Sequence, residues 1–129
     1  MSYVYRLIIR SGPIMNKEFH LEKEEIFIGR ELNNDVVISN SEISRKHAKL
    51  TKKDQYFYLE DLGSTNGTYI KGRKVTKQYK LKRGDLINLG ENIVLEFIQE
   101  PIEEGLDMQA VEPTVTKSIK EGGSFSVEN

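Results

Sequence analysis

Residues 43–70 read ISRKHAKLTKKDQYFYLEDLGSTNGTYI. Runs of β-branched and aromatic residues here give way to two polar clusters, Ser44-Arg45-Lys46-His47 and Ser64-Thr65-Asn66-Gly67-Thr68. No i, i+3, i+4 spacing of an amphipathic helix is sustained, so the pattern predicts short strands joined by loops. A third cluster, Gly29-Arg30, stands about fifteen residues upstream in the same setting. Loops at one end of a sheet scaffold can converge on a ligand. Together the three clusters offer a guanidinium, hydroxyls, an amide and flexible backbone, the donors needed to hold a phosphate-bearing segment of another chain.

The same pattern extends outward as far as Glu100 and defines an all-β body. It predicts strands near residues 4–10, 17–21, 25–28, 35–37, 48–52, 56–61, 68–70, 73–75, 79–81, 86–89 and 93–99. Between them, Ser11-Gly12-Pro13, Asn33-Asn34-Asp35, Lys53-Asp54, Lys71-Gly72, Arg83-Gly84-Asp85 and Gly90-Glu91-Asn92 are turn formers. Many short strands at close spacing suggest a sandwich. In the last strand Ile93, Leu95 and Phe97 fall on one face and Glu96 on the other, as in a half-buried strand of a packed sheet.

Composition narrows the function classes. At 129 residues the chain is expected to hold one domain and a tail. The longest apolar runs, such as Leu7-Ile8-Ile9, fall far short of the ~20 residues of a membrane span. Met1-Ser2-Tyr3 lacks the layout of a secretory signal, so a soluble, intracellular and cytoplasmic location is expected. There is no cysteine, and His20 and His47 cannot build a metal cluster alone; neither metal nor cofactor is expected. The net charge of −1 conceals an asymmetry. Residues 1–100 carry 17 Lys and Arg against 14 Asp and Glu, whereas residues 101–129 carry 2 against 6. A mildly basic body is compatible with an anionic ligand, and equally with an ordinary solvated surface.

Five stretches carry a family resemblance: Phe27-Ile28-Gly29-Arg30, Val36-Val37-Ile38, Ile43-Ser44-Arg45-Lys46-His47-Ala48, Leu62-Gly63-Ser64-Thr65-Asn66-Gly67-Thr68-Tyr69-Ile70 and Leu81-Lys82-Arg83-Gly84-Asp85. In order and spacing they resemble a forkhead-associated (FHA) domain over residues 3–100. The resemblance implies an eleven-stranded β-sandwich of two twisted, mainly antiparallel sheets, whose end loops bind phosphothreonine in a partner protein. On that reading residues 1–100 are a phosphopeptide-binding domain and residues 101–129 an acidic, disordered tail. Arg30 would grip the phosphate, for which a planar guanidinium is suited because it can bond two oxygens at once. The resemblance assigns Ser44, Arg45 and Thr65 to phosphate as well. Asn66 would read the ligand backbone, since its amide offers both donor and acceptor. Gly29, His47 and Gly67 would support the loops, His47 through ring hydrogen bonds. Asn33 and Asn34 either touch the ligand backbone or only form their turn.

Three features extend this reading. Glu42 lies in the loop that in this family meets the third residue after the phosphothreonine, so it is a candidate selectivity residue that disfavours Asp or Glu there. Lys71, Arg73, Lys74, Lys77, Lys80, Lys82 and Arg83 form a basic stretch free of acids. It invites nucleic-acid binding, but its strands need polar outward faces anyway, and its aromatic neighbours are only Tyr69 and Tyr79. Thr114 and Thr116, in the proline-flanked tail, are candidate phosphorylation sites, which makes the chain's own tail a candidate ligand. No enzyme signature is present. The function expected is a non-catalytic phosphothreonine-dependent interaction module in Ser/Thr kinase signalling, its partners a kinase or kinase-modified proteins. The alternatives are a phosphate-independent scaffold or oligomerisation domain on the same fold and, more remotely, a nucleic-acid binder. No membrane partner is expected.

Overall fold

The structure, a computed structural model, describes residues 2–102. Residues 3–100 form one compact unit. Eleven strands are present, at Tyr3–Ser11 (β1), Glu18–His20 (β2), Glu25–Gly29 (β3), Val36–Val37 (β4), Ala48–Lys53 (β5), Tyr56–Asp61 (β6), Thr68–Ile70 (β7), Arg73–Lys74 (β8), Tyr79–Lys80 (β9), Leu86–Leu89 (β10) and Ile93–Pro101 (β11). Each expected strand is found, with no end shifted by more than two residues. Residues trimmed from expected strands keep sheet-like bonds: Leu21 N–H donates to the Tyr5 carbonyl, Val75 N–H to Thr68 and Leu81 N–H to Phe57. Among the described residues no helix is long and apolar enough to cross a membrane.

The strands form a six-stranded sheet, in the order β2-β1-β11-β10-β7-β8, and a five-stranded sheet, in the order β4-β3-β5-β6-β9. Ladders are antiparallel except β3 with β4, where Ile28 pairs with Val36 and Gly29 with Val37. Alternation fills the space between the sheets. From β5 and β6 the buried residues are Ala48, Leu50, Phe57 and Leu59; from β10 and β11 they are Ile87, Leu89, Ile93, Leu95 and Phe97. Phe57 meets Tyr5 edge-on with ring centroids 4.9 Å apart, and Phe57 and Phe97 sit 6.0 Å apart at 69°. Such aromatic pairs add about 0.5–1.5 kcal/mol beyond area burial.

Antiparallel pairing decides where the loops go. β5 and β6 pair from Ala48 with Asp61 to Lys53 with Tyr56, which puts the loop before Ala48 beside the loop after Asp61. Ile28 of β3 pairs with Ala48, so the loop after Gly29 joins them at the same end. β10 pairs Leu89 with both Ile93 and Thr68, which brings the turn at residues 90–92 to that end as well.

Candidate functional site

The three sequence clusters meet where β3, β5 and β7 reach this end. β3 and the loop before β5 come so close that a Cβ on Gly29 would overlap the Arg45 carbonyl oxygen, backbone that cannot swing aside. Glycine is needed here for space. The contact is fixed by Arg30 N–H donating to the Ser44 carbonyl at 3.0 Å and by Asn34 Nδ2 donating to the Glu31 and Arg45 carbonyls, both at 2.8 Å. Asn34 is buried and ties two loops together. Asn33 accepts from Lys46 Nζ at 3.0 Å. In this structure both asparagine side chains bond within the loops.

His47 is fully buried and bonded through both ring nitrogens. Its Nδ1 accepts from Ser44 N–H at 3.0 Å and its Nε2 lies 2.9 Å from the Gly67 carbonyl oxygen. A backbone N–H can only donate and a carbonyl can only accept, so the ring is neutral with its proton on Nε2. Its own backbone accepts from Leu62 N–H and donates to Ile28, so one residue ties the loop before β5 to the end of β3 and to the loop after β6. Gly67, at φ 84°, also accepts from Gly90 N–H at 3.0 Å.

Asp61, overlooked in the sequence, organises the third cluster. Its carboxylate accepts from Gly63 and Ser64 N–H at 2.9 and 3.0 Å and from the Ser64 and Thr68 hydroxyls at 2.5 and 2.7 Å. Ser64 Oγ in turn accepts from Gly67 N–H. Burial pushes the Asp61 carboxyl up, but the Ser64 and Thr68 hydroxyls and the Ser64 and Gly63 amides outweigh it and hold it below the ordinary carboxylate range. A folded pKa below the unfolded value contributes stability above about pH 4, lost as pH falls through the folded pKa. Asp61→Asn is therefore expected to cost about 1–2 kcal/mol at pH 7. In a urea titration series the difference from wild type should shrink below pH 4; an undiminished difference there would refute the assignment.

Around this internally bonded frame, a few donors have no protein partner among the described residues. Arg30 spends only Nε, which donates to the Ile43 carbonyl at 3.0 Å; both terminal nitrogens are unpaired. Ser44 Oγ accepts from Thr65 N–H at 3.0 Å, so its own proton is available. The exposed Thr65 hydroxyl and Arg45 guanidinium are likewise unpaired. Asn66 donates through Nδ2 to the Glu42 carbonyl at 2.9 Å and keeps its amide oxygen unused. The Glu42 carboxylate, by contrast, is turned onto the β10–β11 turn. It accepts from Glu91 N–H at 2.9 Å, Asn92 N–H at 3.2 Å and Asn92 Nδ2 at 2.5 Å. These bonds, led by that of the Asn92 side chain, hold the Glu42 carboxyl below its usual range.

The remaining candidates lie elsewhere. The basic stretch runs from the turn after β7 through the edge strands β8 and β9 and the loop between them to the turn before Asp85, and none of its side chains forms an ion pair among the described residues. Lys80 covers the Tyr56 ring at 3.7 Å. Tyr79 packs against the core, and the half-buried Tyr69 ring lies against Gly67. Thr114 and Thr116 lie outside the described residues. Among the described residues no group of three or more His, Cys, Asp or Glu side chains could hold a metal ion.

The family model for the FHA domain matches residues 26–90. The FHA domain-containing protein FhaB of Mycolicibacterium smegmatis is 32% identical over 89 residues, covering 69% of this chain and 57% of that protein. The chain thus spans little more than half the length of the FhaB relative it matches. The FHA domain of the CT664 protein from Chlamydia trachomatis superposes with a TM-score of 0.68 at 31% identity, over 74% of this chain and 96% of that one. An FHA domain solved in a study of phosphothreonine-dependent interactions superposes with a TM-score of 0.68 at 26% identity, over 77% of this chain and 99% of that one.

Proposed function

The chain belongs to the forkhead-associated domain family of protein-interaction modules, and on that premise we propose that it binds phosphothreonine-bearing segments of partner proteins through the loops that follow β3, precede β5 and follow β6. The observation that carries this reading is the selective surplus of donors. The side chains of Asn34, His47, Asp61 and Ser64 are spent on the frame of the loops, while the two terminal nitrogens of Arg30, the Ser44 hydroxyl proton, the Thr65 hydroxyl and the Arg45 guanidinium are left over beside one another. Phosphate brings about −1.5 to −2 charges and three strong acceptor oxygens, which matches that set. Asn66, next in line, has an amide oxygen for a ligand backbone N–H. The partners on this reading are proteins modified by a Ser/Thr kinase, or the kinase itself.

The test is fluorescence anisotropy with a degenerate phosphothreonine peptide library, measured before and after phosphatase treatment. Binding is expected to disappear on dephosphorylation. Binding indifferent to phosphate would replace this reading with a scaffold on the same fold. Binding of DNA or RNA that weakens steeply with salt would point to the basic edge strands instead.

A further inference from the structure

Beyond Asn66 the sheet end opens into a groove of about 720 Å³, whose walls include Glu42, Tyr69, Asn88, Gly90 and Glu91. No Lys or Arg lines it. Its two carboxylates are in different states. Glu42 is committed to the β10–β11 turn by the three bonds given above, and the turn is shaped around it: Gly90, at φ 69°, would place a Cβ 2.7 Å from Glu42 Oε1. Glu91 is exposed, and its carboxylate has no hydrogen bond or ion pair among the described residues. Contacts run from Arg30 through Ser44 and Thr65, and from Asn66 to Glu42 and Glu91. Charge therefore changes sign along the site, cationic at Arg30 and Arg45 and anionic past Asn66. A complementary ligand is a phosphate followed by a cation.

We propose that this groove receives a Lys or Arg side chain of the phosphoprotein segment, with Glu91 as the pairing carboxylate and Glu42 as the positioning residue that holds the turn carrying it. The proposal rests on the phosphothreonine reading and adds the chemistry of the neighbouring ligand residue. It differs from direct pairing by Glu42, because that carboxylate, though charged, already accepts three hydrogen bonds that hold the turn, whereas the exposed, unpaired one is available to pair with a ligand. Tyr69 and Asn88 give the groove an aromatic wall and an amide, suited to the aliphatic stem of a long basic side chain and to its head.

The experiment uses phosphothreonine peptides carrying Lys, Ala or Glu at each of the first four positions after the phosphothreonine, titrated against wild type, Glu91→Gln, Glu42→Gln and Asn92→Ala. At one of these positions wild type is expected to favour Lys over Glu by about three- to tenfold, the scale of a partly exposed ion pair gained and a repulsion avoided. Glu91→Gln should erase that preference and leave the Ala peptide unchanged. Asn92→Ala, which keeps both carboxylates, should weaken all three peptides by a common factor and keep their order, whereas Glu42→Gln, which also removes a charge from the groove, should weaken all three and narrow the preference without erasing it. Wild type binding all three peptides equally at every position would overturn the proposal. So would loss of the preference in Glu42→Gln with its retention in Glu91→Gln, which would make Glu42 the charge reader. Failure to bind any phosphopeptide would overturn this proposal and the phosphothreonine reading together.

Discussion

Arg30→Ala is expected to weaken phosphothreonine-peptide binding at least 100-fold while leaving a cooperative unfolding transition close to that of wild type. The guanidinium is pre-aimed, because Nε is tied to the Ile43 carbonyl and Gly29 lets the strand end lie against Arg45. A fork held this way loses little rotamer entropy when its terminal nitrogens engage phosphate. Charge-assisted hydrogen bonds contribute about 1.5–3 kcal/mol each, so losing two removes 3 kcal/mol or more, a factor of 100 or above. The folded state loses one partly buried bond, about 1 kcal/mol. Arg30→Lys separates charge from geometry: it keeps the cation but loses both the fork and the Nε tie, and should still bind at least tenfold more weakly. Isothermal titration with one phosphopeptide, paired with thermal unfolding, checks both halves. An Arg30→Ala protein binding within threefold of wild type would remove Arg30 from the site.

His47→Ala should produce the larger loss of stability. The ring is fully buried, and its removal orphans Ser44 N–H and leaves a void where the imidazole packed. An unsatisfied buried donor costs about 1–3 kcal/mol, and the lost packing adds a similar amount, for roughly 3–4 kcal/mol together. For a body of about 100 residues that corresponds to a fall in Tm of more than about 10 °C. Ligand binding should fall as well, because Ser44 and Gly67 would lose their shared brace. His47→Phe fills the volume without making the bonds, so it distinguishes packing from bracing. A His47→Phe protein as stable as wild type would refute the hydrogen-bonding role.

The clarity of the sequence varied from residue to residue. Alternation in β5, β6, β10 and β11 is legible because each buries one face, and a strand pattern of period two needs no knowledge of its partner. Arg30, Ser44, Thr65 and Asn66 are legible as donors of the right kind, bounded by turn formers. Asn34 resisted, since a turn asparagine and one that clamps two loops look alike until Arg45 is brought beside it. Asp61 left a local signal, an aspartate three residues before Ser64, which is the spacing of a side chain bonding the following backbone amides. Glu42 left none. Its carboxylate partners lie 49 and 50 residues further along, and an acid in a loop is otherwise read by its charge alone.

By itself the sequence determined the class of the protein: the all-β body, the strand positions, the absence of thiol chemistry and the set of side chains able to face a phosphate. These follow from local periodicity and side-chain chemistry, which neighbouring residues specify together. Only the tertiary structure decided which donors remain for a ligand, because that depends on partners distant in sequence. It placed His47 and Asp61 among the braces, used Nε of Arg30 while sparing its terminal nitrogens, and committed Glu42 to the turn while leaving Glu91 exposed. A hydrogen-bonding group already engaged inside the fold is not available to a ligand, and that engagement is settled only when the sheets bring the loops together.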